Sequence, residues 1–257
     1  MRYTLYIILA LAGIANLFTA CSKVEETVQP ESEYGYFSLD LEVTQPNLSV
    51  ITKAMGVDVN QFSVVITGKD NGYKKEFATF QELKEGGTLR LEKGNYTVAV
   101  SSEKTQMPEV ATTPFYAGDK DLTIQANFFS KCEVTCLMQQ VRVKVKLEKE
   151  LMDALTGMGV CLTNGNAGGS HNFTLSPTGE SDEIYIKPTD ALRLSFTAIE
   201  KEYQEPISYN ELLKYKDERF PVANDYVTVT IGLATGGTKA LSTRSADRAF
   251  TIKVTVQ

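Results

Sequence analysis

The chain has 257 residues, 42% of them hydrophobic and 23% charged, with a formal charge of −6. That composition excludes an intrinsically disordered chain, which lacks the apolar side chains to build a core. The acidic balance, with no Lys/Arg stripe, excludes a nucleic-acid binder, whose affinity rests on cations set against phosphates.

The first twenty residues have three parts. Arg2 supplies a basic start, residues 5–15 are an almost unbroken apolar run, and residues 16–20 end in small side chains before Cys21. This is the layout of a secretory signal. Its apolar run is shorter than the roughly 20 residues a permanent membrane helix needs. Thr19-Ala20-Cys21 puts small residues before a cut and a thiol after it, as a lipoprotein peptidase requires. Residues 1–20 are therefore expected to be a lipoprotein signal peptide, with Cys21 lipidated and tied to a membrane. Each buried acyl CH₂ contributes about 0.8 kcal/mol to such an anchor. Cleavage removes Arg2 and no acid, leaving 25 Lys+Arg against 32 Asp+Glu, a charge of −7. Residues 21–33 are polar and acidic around Pro30 and read as an extended tether. The Lys23-Val24-Glu25-Glu26 sequence resembles the export signal of surface-displayed lipoproteins in Bacteroidetes-type bacteria. It implies an outer-membrane, cell-surface location, with a plain spacer carrying no address as the alternative.

From Tyr34 onward the pattern has period two, the mark of half-buried strands. Residues 36–43 put Phe37, Leu39, Leu41 and Val43 on one face. Residues 61–67, 76–80, 88–91, 95–100 and 121–128 read as further strands. The segment 91–98 (Leu-Glu-Lys-Gly-Asn-Tyr-Thr-Val) places a Gly turn before a strand that opens with Tyr96. That is the setting of a tyrosine corner, where a phenol bonds back to the backbone of a Greek-key crossover. Thr79-x-x-Glu82 is a capping box good for one helical turn, and Leu147, Leu151, Met152 and Leu155 have helical spacing. Ser208-x-x-Glu211 is a second capping box. In the second half, 133–147 is one long run, followed by strands over 157–163, 171–175, 183–186, 192–199, 225–233 and 249–257. The modules predicted are 34–130 and 131–257, both β, each a sandwich or a barrel.

Little of the sequence carries chemistry. With Cys21 lipidated, Cys132, Cys136 and Cys161 are an odd set. The first two lie about 13 Å apart along a strand, too far for a disulfide. All three read as small apolar side chains in a core, with a pairing of either to Cys161 as the alternative. His171 is the single histidine, too few for a His-based zinc site, and no Gly-x-Ser-x-Gly elbow exposes a serine. No enzyme, cofactor or metal is expected.

Several stretches occur together in one order. They are the lipobox, 34–41 (Tyr-Gly-Tyr-Phe-Ser-Leu-Asp-Leu), Ser49-Val-Ile-Thr-Lys-Ala before a Phe-Ser-Val-Val-Ile strand, and Leu91-x-x-Gly-x-Tyr-x-Val. Pro114-Phe-Tyr-Ala-Gly and Cys136-Leu-Met-Gln-Gln-Val-Arg-Val-Lys-Val complete the set. In this order the chain resembles a Bacteroidales family of two-domain lipoproteins of unknown function. That family has a fimbrillin-like architecture and is grouped with cell-adhesion proteins. The resemblance implies an all-β chain of two tandem Greek-key or transthyretin-like β-sandwiches. It implies a non-catalytic cell-adhesion or fimbria-like accessory protein at an anchor or tip, whose partners are fimbrial subunits or surface ligands. A glycan-binding lipoprotein of a nutrient-uptake system is the alternative. Fimbrillins polymerise by strand exchange, so the alternating Phe250, Ile252, Val254 and Val256 are a candidate donor strand, with the domain's own last strand as the plainer reading. Lys53 is a candidate processing position.

Overall fold

The computed structural model describes residues 33–44, 57–104, 106–233 and 250–256, the last of these as backbone only. The expected signal peptide, Cys21, most of the expected tether and Lys53 lie outside the described residues. The remainder is all-β, in two sandwiches with separate cores.

In the first, β1 (Tyr34–Thr44), β2 (Ser63–Gly68), β3 (Lys74–Phe77), β4 (Leu89–Glu92) and β5 (Gly94–Ser101) join β7 (Tyr116–Ile124) and β8 (Phe129–Met138). Their order is β3-β2-β5-β7-β8-β1-β4. β7 and β8 are ladder partners only at Tyr116–Met138 and Ala117–Leu137, so the sheet folds over at that corner. The two halves enclose one core that includes Phe37, Val64, Ile66, Leu91, Val98, Ile124 and Val134. β1 lies parallel to β8, Leu39 against Cys132 and Val43 against Cys136, so the apolar positions of both strands share the inner face. Cys132 and Cys136 are buried free thiols, whereas Cys161 is half-buried on another strand and also free. Burial pushes the Cys136 thiol up to about 12, which suits a core side chain rather than a nucleophile.

The tyrosine corner is present. Tyr96 is fully buried, and its phenol donates to the Glu92 carbonyl at 2.9 Å while accepting from Asn71 Nδ2 at 2.9 Å. Tyr73 packs edge-on against its ring. Tyr96→Phe keeps the ring and strands both partners. Leaving such groups unsatisfied costs roughly 1–3 kcal/mol, so the denaturant midpoint of the first sandwich should fall with an unchanged m-value. Thr79 caps α1 (Phe80–Glu85): its hydroxyl accepts from Glu82 N at 3.1 Å, while Glu82 Oε2 accepts from Ala78 N at 2.7 Å.

The second sandwich pairs a four-stranded sheet with a five-stranded one. β10 (Leu155–Thr163), β11 (Ser170–Phe173), β13 (Arg193–Glu200) and β14 (Pro206–Leu212) run in the order β11-β10-β13-β14. Facing them are β6 (Val110–Ala111), β9 (Val141–Leu147), β12 (Ile184–Ile186), β15 (Tyr226–Leu233) and β16 (Phe250–Val256), in the order β16-β15-β9-β12-β6. α2 (Lys149–Ala154) covers one end through Leu151. The core between the sheets holds Val141, Val143, Val145, Leu162, Leu194, Phe196, Val229 and Ile231.

Three expectations are corrected. The capping box at Ser208 lies within β14, which pairs with β13 along its whole length from Pro206–Ile199 to Leu212–Arg193. A cap contributes about 1 kcal/mol, less than a continuous ladder with Ile207 buried beneath it. The first core takes in Cys132, Val134, Cys136 and Met138 of β8, and the long 133–147 run breaks at Gln139-Gln140 into strands of different cores. Cys161 is half-buried, so only two of the three thiols are core residues.

Candidate interaction surfaces

Two polar constellations stand out, and both arise from the alternation that builds the strands. On β9 the inward Val141, Val143, Val145 and Leu147 leave Arg142, Lys144 and Lys146 on the outer face, a short basic row against the expectation of no Lys/Arg stripe. β15 runs parallel beside it and aligns Tyr226 with Arg142 and Thr228 with Lys144. The segment before β12 brings in Glu180 and Glu183. The result is an open trough of about 260 Å³. Arg142 makes a fork-like pair with Glu183, one arm at 2.8 Å, and lies 4.8 Å from the Tyr226 ring. Lys144 reaches Glu180 at 2.7 Å and Lys146 approaches the same carboxylate at 3.6 Å. The hydrogen bond from Lys144 holds Glu180 below the usual carboxylate range, and the same bond raises Lys144. Both shifts carry these groups further from neutrality, the opposite of what proton transfer needs. The trough suits a polar contact surface, and its part-exposed pairs are individually weak and salt-sensitive.

The second constellation clasps the two sandwiches together. The connection from β5 to β7 leaves the first sandwich and lends β6 to the second, Val110 and Ala111 pairing with Ile186 and Tyr185. Glu109, just before β6, accepts from Asn164 Nδ2 at 2.8 Å, Asn166 Nδ2 at 2.9 Å and Lys187 Nζ at 3.0 Å. Fully buried Gln140 accepts from Phe115 N at 2.9 Å and donates to the Pro108 carbonyl at 3.2 Å. Tyr185 and Tyr226, although on strands of the second sandwich, pack into the first core.

Bonds from Asn166, Asn164 and Lys187 hold the Glu109 carboxyl below its ordinary value. A depressed carboxylate stabilises the fold above its unfolded pKa of about 4.3, and that stabilisation is lost as pH falls through the folded value. Glu109→Gln should therefore lower the melting temperature at pH 7 modestly, since the site is near the surface. The gap from wild type should close as pH drops from 5 towards 3 in a series of thermal melts.

The residues singled out in the sequence are dispersed. Cys21 lies outside the described residues. His171 stacks edge-on against Phe173 at 5.0 Å on β11. Among the described residues no cluster of three His, Cys, Asp or Glu could hold a metal ion, and no helix is long and apolar enough to cross a membrane. The backbone of Phe250, Ile252, Val254 and Val256 runs antiparallel to β15 of its own chain, at the edge of the five-stranded sheet. The clasp and trough escaped sequence reasoning because their members lie far apart, Glu109 from Lys187 and Arg142 from Glu183. The one local signal is the alternation over Val141 to Leu147 within the 133–147 run, which puts Arg142, Lys144 and Lys146 on one face without naming their partners.

Residues 33–257 match the family described as "Domain of unknown function (DUF4493)", and the chain belongs to that family. No curated protein sequence matches the chain. Among solved structures it is similar to a candidate cell adhesion protein from Bacteroides eggerthii, at 10% identity and TM-score 0.49, over 88% of this chain and 95% of that one. It is similar also to a candidate adhesin from Bacteroides thetaiotaomicron, at 10% identity and TM-score 0.48, over 87% and 96%. A third is the fimbrial anchor protein Mfa2 of Porphyromonas gingivalis, at 9% identity and TM-score 0.45, over 85% and 97%. At these values the likenesses transfer neither a ligand nor a role.

Proposed function

We propose that the chain is a surface lipoprotein, acylated on Cys21 and held at the outer membrane. It serves without catalysis as a cell-adhesion or fimbria-like accessory protein, at an anchor or tip. The observation that carries this reading is the clasp: β6 and Glu109 tie two sandwiches into one mechanically continuous body directly after a tether sequence. A protein that transmits pull between a membrane and a partner needs such coupling, whereas a hydrolase needs acids and bases shifted toward neutrality, and Glu180 and Lys144 are shifted away from it. The edge position of β16 adds a route to partners, since a strand with one neighbour can be released to, or replaced by, a strand from another subunit.

Expression of the full chain and of Cys21→Ala in a Bacteroidales host provides the test. The wild type should take up radiolabelled palmitate, fractionate with the outer membrane and be shaved from intact cells by protease. The Cys21→Ala chain should be soluble and unlabelled. Wild-type protein without label, or label without surface exposure, would remove the anchor or the address respectively. Saturable saccharide binding by residues 22–257 on a glycan array would favour the glycan-binding alternative over adhesion.

A further inference from the structure

Among the described residues, four of the nine exposed large hydrophobic side chains share one end of the first sandwich. Tyr36 and Phe129 are register partners across the parallel β1–β8 pair, so their side chains leave the same outer face. Tyr34 lies on that face two residues earlier, and Phe128 forms the turn into β8, its carbonyl accepting from Tyr36 N at 2.9 Å. Phe128 and Phe129 are 63% and 61% exposed, Tyr36 48% and Tyr34 37%. Arg90, opposite Tyr36 on β4, sets its guanidinium 4.1 Å from the Tyr34 ring. Glu92, opposite Tyr34 on the same β4 strand, accepts from its phenol at 3.5 Å, so the β4 edge carries one charge of each sign. Four exposed aromatic rings gathered at one end of a sandwich mark a contact site.

Its position says what it contacts. The face starts at Tyr34, the first residue of β1, thirteen residues after Cys21. Even fully extended, that connection spans about 45 Å at most. Anything on this face is thus held close to the bilayer, where a weak affinity is multiplied by the tether's effective concentration. Tyr, with an apolar ring and a polar tip, favours the membrane–water boundary, Phe rings enter the acyl edge, and Arg meets lipid phosphates.

We propose that Tyr34, Tyr36, Phe128 and Phe129 form a membrane-docking face that seats the first sandwich on the lipid surface to which the chain is tethered. The inference rests on the Cys21 anchor proposed above. Docking fixes the orientation of the tethered body, so that the second sandwich faces outward instead of swinging on a loose stalk.

The chain contains no tryptophan, so a single introduced one reports alone. Residues 22–257 retain every residue of both cores and carry no acyl chain. In that chain Phe129→Trp should be quenched by brominated lipids in phosphatidylethanolamine–phosphatidylglycerol vesicles. Tyr203→Trp, on the β13–β14 turn of the second sandwich, should not. The double substitution Phe128→Ser/Phe129→Ser should cut the vesicle-bound fraction by about tenfold or more, as expected for withdrawing two rings from an interface. No quenching of Phe129→Trp, or equal quenching at both positions, would overturn the docking face. So would a fluorescence change on adding xylo- or cello-oligosaccharides with none on adding vesicles, which would assign the face to glycans. Palmitate labelling of Cys21 is read separately. An unlabelled cysteine overturns the anchor, and the quenching result still decides whether the face binds lipid.

Discussion

A chain ending at Ala249 should lose the cooperative transition of its second sandwich while the first still folds, and a peptide of residues 250–257 should restore it. β15 lies between β9 and β16, and its Val227, Val229 and Ile231 are almost completely buried. Removing β16 strips β15 of antiparallel partners from Val227–Val256 to Leu233–Phe250 and bares a row of N–H and C=O groups beside an apolar core. A domain of this size is stable by only about 5–15 kcal/mol, so losing a whole edge ladder should remove most of that. Amide exchange and near-UV circular dichroism would follow the loss, and titration with the peptide would follow the recovery. Recovery in trans means the groove beside β15 accepts a strand it is not covalently joined to, the physical requirement for subunit exchange through Phe250, Ile252, Val254 and Val256. A truncated chain that melts like wild type would show β16 to be dispensable and end the donor idea. One that unfolds and ignores the peptide would make β16 a private structural strand.

Alternation with period two is a local property, and it made most strands legible: β1, β2, β5, β10, β13 and β15 lie where the pattern puts them. Tyr96 was legible for a similar reason, because a corner is spelled within a few residues between Glu92 and Val98. What failed was decided by partners far along the chain. Ser208-x-x-Glu211 spells a cap locally, but β13 offers it a full ladder, and the ladder wins. β6 is two residues long and exists only because β12 presents an edge to it. The break at Gln139-Gln140 is invisible in a run that alternates on both sides. It appears only when the Gln140 amide is seen bridging Phe115 and Pro108. The same reason hid the surfaces. Pattern reading sorts side chains into inward and outward, and it cannot say that outward Arg142 will find Glu183, or that outward Tyr36 will sit beside Phe129.

Phe196→Ala should lower the stability of the second sandwich by about 3–5 kcal/mol, the usual cost of emptying a ring-sized space in a packed core. Phe196 is 1% exposed at the centre of β13, between Val160 of β10 and Tyr209 of β14, so neither sheet can close over the gap without breaking a ladder. The effect on the first sandwich is the more informative part. Tyr185 and Tyr226 are held on β12 and β15 of the second sandwich yet bury their rings in the first core. Loosening the second sandwich therefore withdraws cover from the first, which should lose stability too, by a smaller amount. Native-state amide exchange separates the two, with Leu162 reporting on the damaged core and Val98 on its neighbour. Adding Glu109→Gln should weaken the link and reduce the change seen at Val98. Equal losses at both probes would mean one cooperative core, and no change at Val98 would mean that the clasp carries no energy. A loss graded between those limits would fit the tethered, force-bearing role proposed above, in which two folds carry a load without either unfolding alone.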